Sequence, residues 1–232
     1  MDIHGFTKTT LLDYPGHVAA TVFTGGCNMR CPYCHNSDLV LNPDIFPKED
    51  EAQILAFLKK RHGILSGVCI TGGEPTLQPD LEDFIDKLKD IGYNVKLDTN
   101  GMNPAKLERL IDSGKLNYVA MDIKAGRDNY ALATGIAGIK IDNILASVEI
   151  LSKGRISYEF RTTTVGGIHT EADFKDIAEW LPKDCSYFIQ SYKEAPGIGN
   201  MQCFSFSAEQ LKGFLDIVKT RIPNSSLRGI DQ

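Results

Sequence analysis

Three of the chain's six cysteines fall in one short run, Thr24-Gly25-Gly26-Cys27-Asn28-Met29-Arg30-Cys31-Pro32-Tyr33-Cys34-His35-Asn36, at C-x3-C-x2-C spacing. Two glycines before the first cysteine and a proline in the last gap predict an irregular loop, because glycine permits φ > 0 and proline fixes φ and donates no N–H. Such a loop can wrap three sulfurs around one object, and three objects compete. A disulfide leaves one thiol over, and nothing in the sequence points to secretion. Structural zinc takes four protein ligands. Cys34 and His35 are adjacent, so seating both on one tetrahedral ion would strain the backbone, and no second pair is visible. A cubane iron–sulfur cluster is held by thiolates, and three of them on four irons leave one iron open for a substrate. The spacing favours the cluster, with zinc next.

With Tyr33 before its last cysteine, the run resembles the signature of the radical S-adenosylmethionine (SAM) superfamily. The resemblance implies that Cys27, Cys31 and Cys34 hold a [4Fe-4S] cluster whose open iron is chelated by the amino and carboxylate groups of SAM. It also implies reductive cleavage of the sulfonium to a 5′-deoxyadenosyl radical. Tyr33 would then lie near the adenine, and His35 would join the cofactor-binding residues.

At 232 residues the chain can bury a sizeable core, and a single α/β barrel domain over residues 1–232 is expected. A formal charge of −5 argues against a general nucleic-acid binder. No run of about eighteen apolar residues predicts a membrane span. The stretch Met1-Asp2-Ile3-His4-Gly5-Phe6 lacks the charged-then-apolar layout of a signal peptide. Unpaired cysteines fit a reducing compartment, so the expectation is a cytoplasmic protein with neither membrane nor nucleic acid as partner.

Residues 3–13 read as a polar, short-stranded lead-in closed by the turn Tyr14-Pro15-Gly16. The apolar run Val18 to Phe23 predicts a first buried strand leading into the cysteine loop. Helix and strand then alternate. Helices are expected over Glu51 to Lys60, Leu81 to Ile91, Pro104 to Ile111, Ile141 to Leu151 and Ala172 to Leu181, with a last one from a Ser207 cap to about Thr220. Strands are expected over Gly67 to Thr71, Asn94 to Asp98, Asn117 to Asp122, Ser157 to Thr163 and Cys185 to Gln190. Such alternation implies βαβ units on a parallel sheet. Six units fall short of eight, so the expected fold is α/β: a partial, open (β/α)6 barrel after a short N-terminal lead-in.

The polar residues fall at strand ends: the cysteine loop, Gly72-Gly73-Glu74-Pro75, Asp98-Thr99-Asn100-Gly101, Asp122-Ile123-Lys124, and Arg161 with Thr163. In barrels of parallel strands, ligand chemistry gathers at the C-terminal strand ends, so five polar ends would surround one mouth. Each has a plainer reading as well: a tight turn at Gly72-Gly73, helix caps at Asp98 and Asp122, a salt-bridge residue at Arg161, a structural histidine at His169. Cys69 reads as a small core residue within a strand, and Cys185 and Cys203 carry no motif.

Gly72-Gly73-Glu74 resembles the superfamily's GGE motif, which holds the SAM amino group. Asp122 and Lys124 resemble the D-x-K motif of glycyl-radical activating enzymes, which contacts the ribose and carboxylate regions of SAM. Asp98-Thr99 resembles a site that, in one branch, holds a monovalent cation beside the SAM carboxylate. Arg161 would face the same mouth, and His169 would contact the adenine.

Phe6 through Gly16, Cys27 through Asn36 and Asp122-Ile123-Lys124 together resemble the activating proteins of anaerobic (class III) ribonucleotide reductase, with pyruvate formate-lyase activating enzyme a near relative. That resemblance implies hydrogen abstraction from a glycine Cα of a partner enzyme, and flavodoxin or ferredoxin as electron donor. Two other readings stay open. One is a radical SAM enzyme acting on a small molecule, such as a deazapurine synthase. The other is a zinc-stabilised binding module with no catalysis.

Overall fold

The structure is a computed structural model, which describes residues 1–194 and 202–229. Eight strands form one sheet in chain order: Ile3–Thr10 (β1), Ala19–Thr24 (β2), Gly67–Gly72 (β3), Asn94–Thr99 (β4), Tyr118–Asp122 (β5), Ser157–Thr164 (β6), Tyr187–Ser191 (β7) and Ser225–Arg228 (β8). β1 pairs antiparallel with β2, and every later pair is parallel. Val22, Val68, Ile70, Val95, Leu97, Val119 and Met121 are fully buried. Near-continuous apolar runs of this kind are what a sheet covered on both faces demands. The expected open, partial α/β barrel is the fold observed.

Helices fill the crossovers: Ser37–Leu41 (α1), Glu51–Arg61 (α2), Leu81–Ile91 (α3), Pro104–Asp112 (α4), Tyr130–Thr134 (α5), Ile141–Ser152 (α6), Glu171–Trp180 (α7) and Ala208–Lys219 (α8). In α3, Leu81, Phe84, Ile85 and Leu88 fall at i, i+3, i+4 and i+7, and all four are fully buried. Gly92 ends that helix at φ 102°, its N–H donating to the carbonyls of Leu88 and Lys89. Ser207 caps α8, its Oγ accepting from the Gln210 N–H.

Four elements go beyond the sequence reading. The lead-in forms an eight-residue edge strand, β1, whose burial fades along its length. A seventh parallel strand, β8, follows the last helix. Its sequence, Ser-Ser-Leu-Arg, is too short and polar to announce itself, and its pairing with β7 supplies the strand. The short helices α1 and α5 are five residues each, α1 set between Asn36 and Asn42 and α5 between Asn129 and Gly135, too short to show a period in sequence. Cys185 falls outside β7 because its N–H bonds the Pro182 carbonyl in a turn. Among the described residues, no helix is long and apolar enough to cross a membrane.

Candidate functional site

The C-terminal ends of β2 to β6 converge on one cavity. Its lining includes Cys27, Cys31, Cys34, Tyr33, His35, Gly72, Gly73, Glu74, Asp98, Thr99, Asp122 and Lys124. The expected cluster ligands, the GGE run and the D-x-K pair thus share one wall system. Asn100 and Thr163, from the polar strand ends, also line it, and Met29, Asn36, Val40 and Thr71 complete the lining without an assigned role from sequence. Arg161 and His169 do not line it.

Hydrogen bonds fix the shape of the cysteine loop. Arg30 Nη1 donates to the carbonyls of Cys27 at 2.7 Å and Met29 at 2.8 Å, while the Arg30 N–H donates to the Thr134 carbonyl at 2.8 Å. Asn36 Nδ2 reaches the Gly72 carbonyl at 3.0 Å, and Asn100 Nδ2 donates to Asn28 Oδ1 at 2.7 Å. The loop is therefore tied to the ends of β3 and β4, the strands beside it.

Gly72 and Gly73 owe their identity to that junction. Gly72 sits at φ 113°, and a Cβ there would lie 2.3 Å from the Thr24 amide nitrogen. A Cβ on Gly73 would lie 1.8 Å from the Gly26 carbonyl oxygen. The Gly73 and Glu74 N–H groups donate to the carbonyls of Thr24 and Gly26, both at 2.8 Å. The glycines let the β3 edge pack backbone-to-backbone on the cysteine loop, as well as leaving room at the cavity wall.

Glu74 is 1% exposed, and its carboxylate is already spoken for. Oε1 accepts from the Thr76 N–H, the Thr76 hydroxyl and the Thr99 hydroxyl, and Oε2 accepts from the Asn100 N–H at 2.7 Å. Burial pushes its pKa up, and these hydrogen bonds oppose the shift without cancelling it. The side chain acts as a strut between the ends of β3 and β4. Glu74→Gln turns an amide N–H₂ toward one of these donors, so a loss of about 1–3 kcal/mol in urea unfolding is expected. An unchanged midpoint would contradict the strut.

Below the cavity, charges alternate across three adjacent strands. Asp122 Oδ2 accepts from Lys124 Nζ at 3.0 Å, and its Oδ1 accepts from Arg161 Nε at 2.9 Å. Arg161 Nη1 and Nη2 each reach Asp98 Oδ2 at 3.2 Å, and Lys96 Nζ closes on Asp98 Oδ1. Arg161 is thus a brace between two aspartates, and Thr163, two residues further along the same face of β6, takes the place in the lining. The cation expected beside Asp98 finds both carboxylate oxygens engaged by protein cations.

Burial alone would raise the Asp122 pKa, but Arg161 and Lys124 outweigh it and hold it at about 2. A depressed carboxyl stabilises the fold above its unfolded value of 3.8, and that contribution is lost as pH falls toward 2. Asp122→Asn should therefore flatten the fall in melting temperature between about pH 4 and pH 2. An equally steep fall in the variant would contradict the assignment. For Lys124, burial works against the charge, yet Asp122, Cys31 and Tyr33 carry its pKa well above the ordinary lysine value.

His169 is 4% exposed. Its Nε2 pairs with the Lys124 carbonyl at 2.7 Å, and its Nδ1 accepts from the Val165 N–H at 3.0 Å. The ring holds the backbone after β5, with both nitrogens engaged on backbone groups. Tyr33, whose hydroxyl meets the same Lys124 carbonyl at 3.5 Å, does line the cavity.

The donor set fits an iron–sulfur cluster better than a single ion. Among the described residues no three Cys, His, Asp or Glu side chains converge tightly enough to hold one metal ion. The three thiols instead ring a shared cavity, as ligands to different irons of a larger object do. Among the described residues no fourth protein ligand completes a zinc site there. Burial raises the pKa of all three thiols, that of Cys31 to about 11, while the Lys124 ammonium pulls the other way. Cys69 and Cys185 are buried in the body of the fold and do not reach the cavity.

Residues 21–181 match the Radical SAM superfamily. The chain is 36% identical over 197 residues to MJ1227 of Methanocaldococcus jannaschii, which carries the name glycyl-radical enzyme activating enzyme. That alignment spans 82% of this chain and 80% of the relative. It is 32% identical to a pyruvate formate-lyase-activating enzyme of Clostridium pasteurianum, over 63% of each chain. A 7-carboxy-7-deazaguanine synthase of Neisseria meningitidis is 37% identical, but over only 47% of this chain. The fold is similar to Streptococcus suis SuiB (TM-score 0.65, 15% identity, 88% of this chain and 47% of that one) and to TYW1 (TM-score 0.63, 19% identity, 92% and 76%). Cysteine spacing, cavity lining and the match over most of the chain agree: this protein belongs to the radical SAM superfamily.

Proposed function

We propose that this chain is an activating enzyme that installs a glycyl radical on a partner protein, with anaerobic ribonucleotide reductase as that partner, because its sequence most resembles the activating proteins of that reductase. The observation that carries the reading is the shared cavity, in which Cys27, Cys31 and Cys34 face the Gly72-Gly73 edge and the Asp122–Lys124 pair. The names of the two activating relatives, one aligned over 82% and the other over 63% of the chain, support the partner class.

When bound, a cluster reduced by an external one-electron donor such as flavodoxin or ferredoxin would supply the electron that cleaves SAM, and with it the hydrogen-atom abstraction from a glycine Cα. The chain's own residues bind, orient and shield. Cys27, Cys31 and Cys34 would hold the cluster, and Lys124 would place a fixed positive charge beside it. The backbone edge at Gly72 and Gly73 offers polar groups to an amino acid moiety, and Asp122 offers an acceptor to a ribose. Tyr33 and Met29, 5% and 2% exposed, exclude water from the inner wall.

The stretch that most resembles reductase activators forms β1 and the loop after it. Ile3 pairs with Thr24 at the cavity end, whereas Thr10 pairs with Ala19 at the opposite end, so Leu11 through Gly16 lie away from the cysteine loop. In this reading that stretch belongs to the scaffold or the docking surface and not to the SAM pocket. The test is anaerobic incubation of reconstituted, reduced protein with SAM and a candidate glycyl-radical enzyme, followed by electron paramagnetic resonance. A glycyl radical on the partner that requires SAM and this chain supports the reading. SAM cleavage with no radical on any glycyl-radical enzyme, together with turnover of a purine-sized substrate, would replace it with the deazapurine-synthase reading that the Neisseria relative favours.

A further inference from the structure

We infer that the Lys96 side chain supplies at Asp98 the positive charge that the family resemblance assigns to a bound monovalent cation, so that this chain works without such an ion. The inference rests on the reading of the cavity as a SAM site and concerns one wall of it. Lys96 and Asp98 are two apart on β4, so their side chains leave the same face of the strand. The Lys96 side chain is 1% exposed and that of Asp98 is 14% exposed.

A buried ammonium is costly unless paired, and this one is paired with Asp98 Oδ1, with Cys69 Sγ also at 3.6 Å. Asp98 Oδ2 receives both terminal nitrogens of Arg161. Asp122, the next carboxylate, is likewise held between Arg161 and Lys124. Three protein cations therefore face two carboxylates, and each of the four carboxylate oxygens already has a cationic donor. An added ion would have to share oxygens that are each already paired with a protein cation and would meet like charges at close range. A small cation also needs several oxygen ligands, whereas the groups packed around Asp98 Oδ1 are an ammonium and a thiol. The sequence reading passed over Lys96 because a lysine inside a short strand is ordinarily an exposed one; only the sheet, which sets Cys69 of β3 beside it and brings Arg161 of β6 to Asp98, shows its head group turned inward.

The test uses the reconstituted protein in potassium, sodium or choline chloride at equal ionic strength. The readouts are the melting temperature and the dissociation constant for SAM. A bound ion stabilises the folded state by mass action, so its presence makes the melting temperature climb with ion concentration. For the native chain we expect a melting temperature and a SAM affinity that are the same in all three salts. For Lys96→Met, which keeps the length and removes the charge, we expect tenfold or greater loss of SAM affinity in choline and recovery in potassium, about 1.4 kcal/mol in binding. Thallium, which replaces potassium and scatters anomalously, should leave no peak beside Asp98 in crystals of the native chain and a peak in those of the variant. A potassium-dependent melting temperature in the native chain, or thallium on its Asp98, would overturn the inference. If Lys96→Met does not fold, the native-chain salt series and thallium soak decide alone. The melting and thallium readouts need no SAM cleavage, so their outcome is separable from failure of the functional reading.

Discussion

Replacing Cys31 by alanine in the reconstituted protein is expected to take iron from about four atoms per chain to near zero, and SAM cleavage with it. Cys31 is 8% exposed and sits in the middle of the three thiols, in a loop held by Arg30 and Asn36 from outside the thiol set. Two remaining thiolates cannot retain a cluster that three held with one iron already open. The loop is braced by backbone contacts that do not involve the Cys31 sulfur, so the fold should persist and circular dichroism should be little changed. Cys185→Ala is the control: that thiol is buried between α7 and β7 and lies outside the cavity, so its removal should leave iron and sulfide unchanged. Iron retained in Cys31→Ala, or lost in Cys185→Ala, would remove the cysteine loop from its assigned role. The same experiment on Cys27 and Cys34 should give the same answer, since both line the same wall.

Gly73→Ala should be nearly as damaging, by a different route. The added methyl would start 1.8 Å from the Gly26 carbonyl oxygen, which is a backbone atom and cannot swing aside. The β3 edge and the cysteine loop must separate, breaking the 2.8 Å bonds from Gly73 and Glu74 to Thr24 and Gly26. Overpacking of this kind costs about 1–3 kcal/mol, and a displacement of about 1 Å at a reacting site can cost roughly 10²-fold in rate. Both effects should appear together, as a lowered melting temperature and a SAM cleavage rate down about a hundredfold with iron content largely kept. Gly213, inside α8, has nothing within 4 Å of an added Cβ. Gly213→Ala should therefore be neutral or mildly stabilising, by up to about 1 kcal/mol. A Gly73→Ala chain of native stability and rate would show that the loop and strand edge can part freely.

Much of this was legible in the sequence where local pattern and tertiary demand coincide. The helix α3 was readable to the residue because its apolar spacing, Gly92 stop and buried face all agree. The site was readable wherever the type of residue names the chemistry, as with the three cysteines, or where glycine names a close approach, as at Gly72 and Gly73. It failed where position alone had to stand for direction. Arg161 lies inside β6, short of its end at Thr164, and its guanidinium turns to Asp98 and Asp122, so that Thr163 reaches the cavity instead. His169 lies near the cavity but spends both nitrogens on backbone groups. Glu74 belongs to a run that resembles a ligand-binding motif and yet spends its carboxylate on Thr76, Thr99 and Asn100. Asn36 and Asn100 lay inside runs the sequence picked out, but their tying roles were not legible, because an asparagine that ties two loops together looks, in sequence, like any loop asparagine. β8 required a neighbour to exist at all, since four residues of mixed polarity acquire a strand only by pairing with β7.

These cases share one cause. A side chain's type is written in the sequence, whereas its partner across the sheet is set by register, which places Asp122 opposite Arg161 and Asp98 opposite Ala120. The ion chain under the cavity is a product of that register.

The most direct measurement is a count of iron and acid-labile sulfide in anaerobically reconstituted protein, followed by dithionite reduction, addition of SAM and assay for 5′-deoxyadenosine. About four irons and four sulfides per chain, with 5′-deoxyadenosine formed only when reductant and SAM are both present, is the predicted result. One zinc per chain, no sulfide and no cleavage of SAM would contradict it and return the cysteine loop to a structural role.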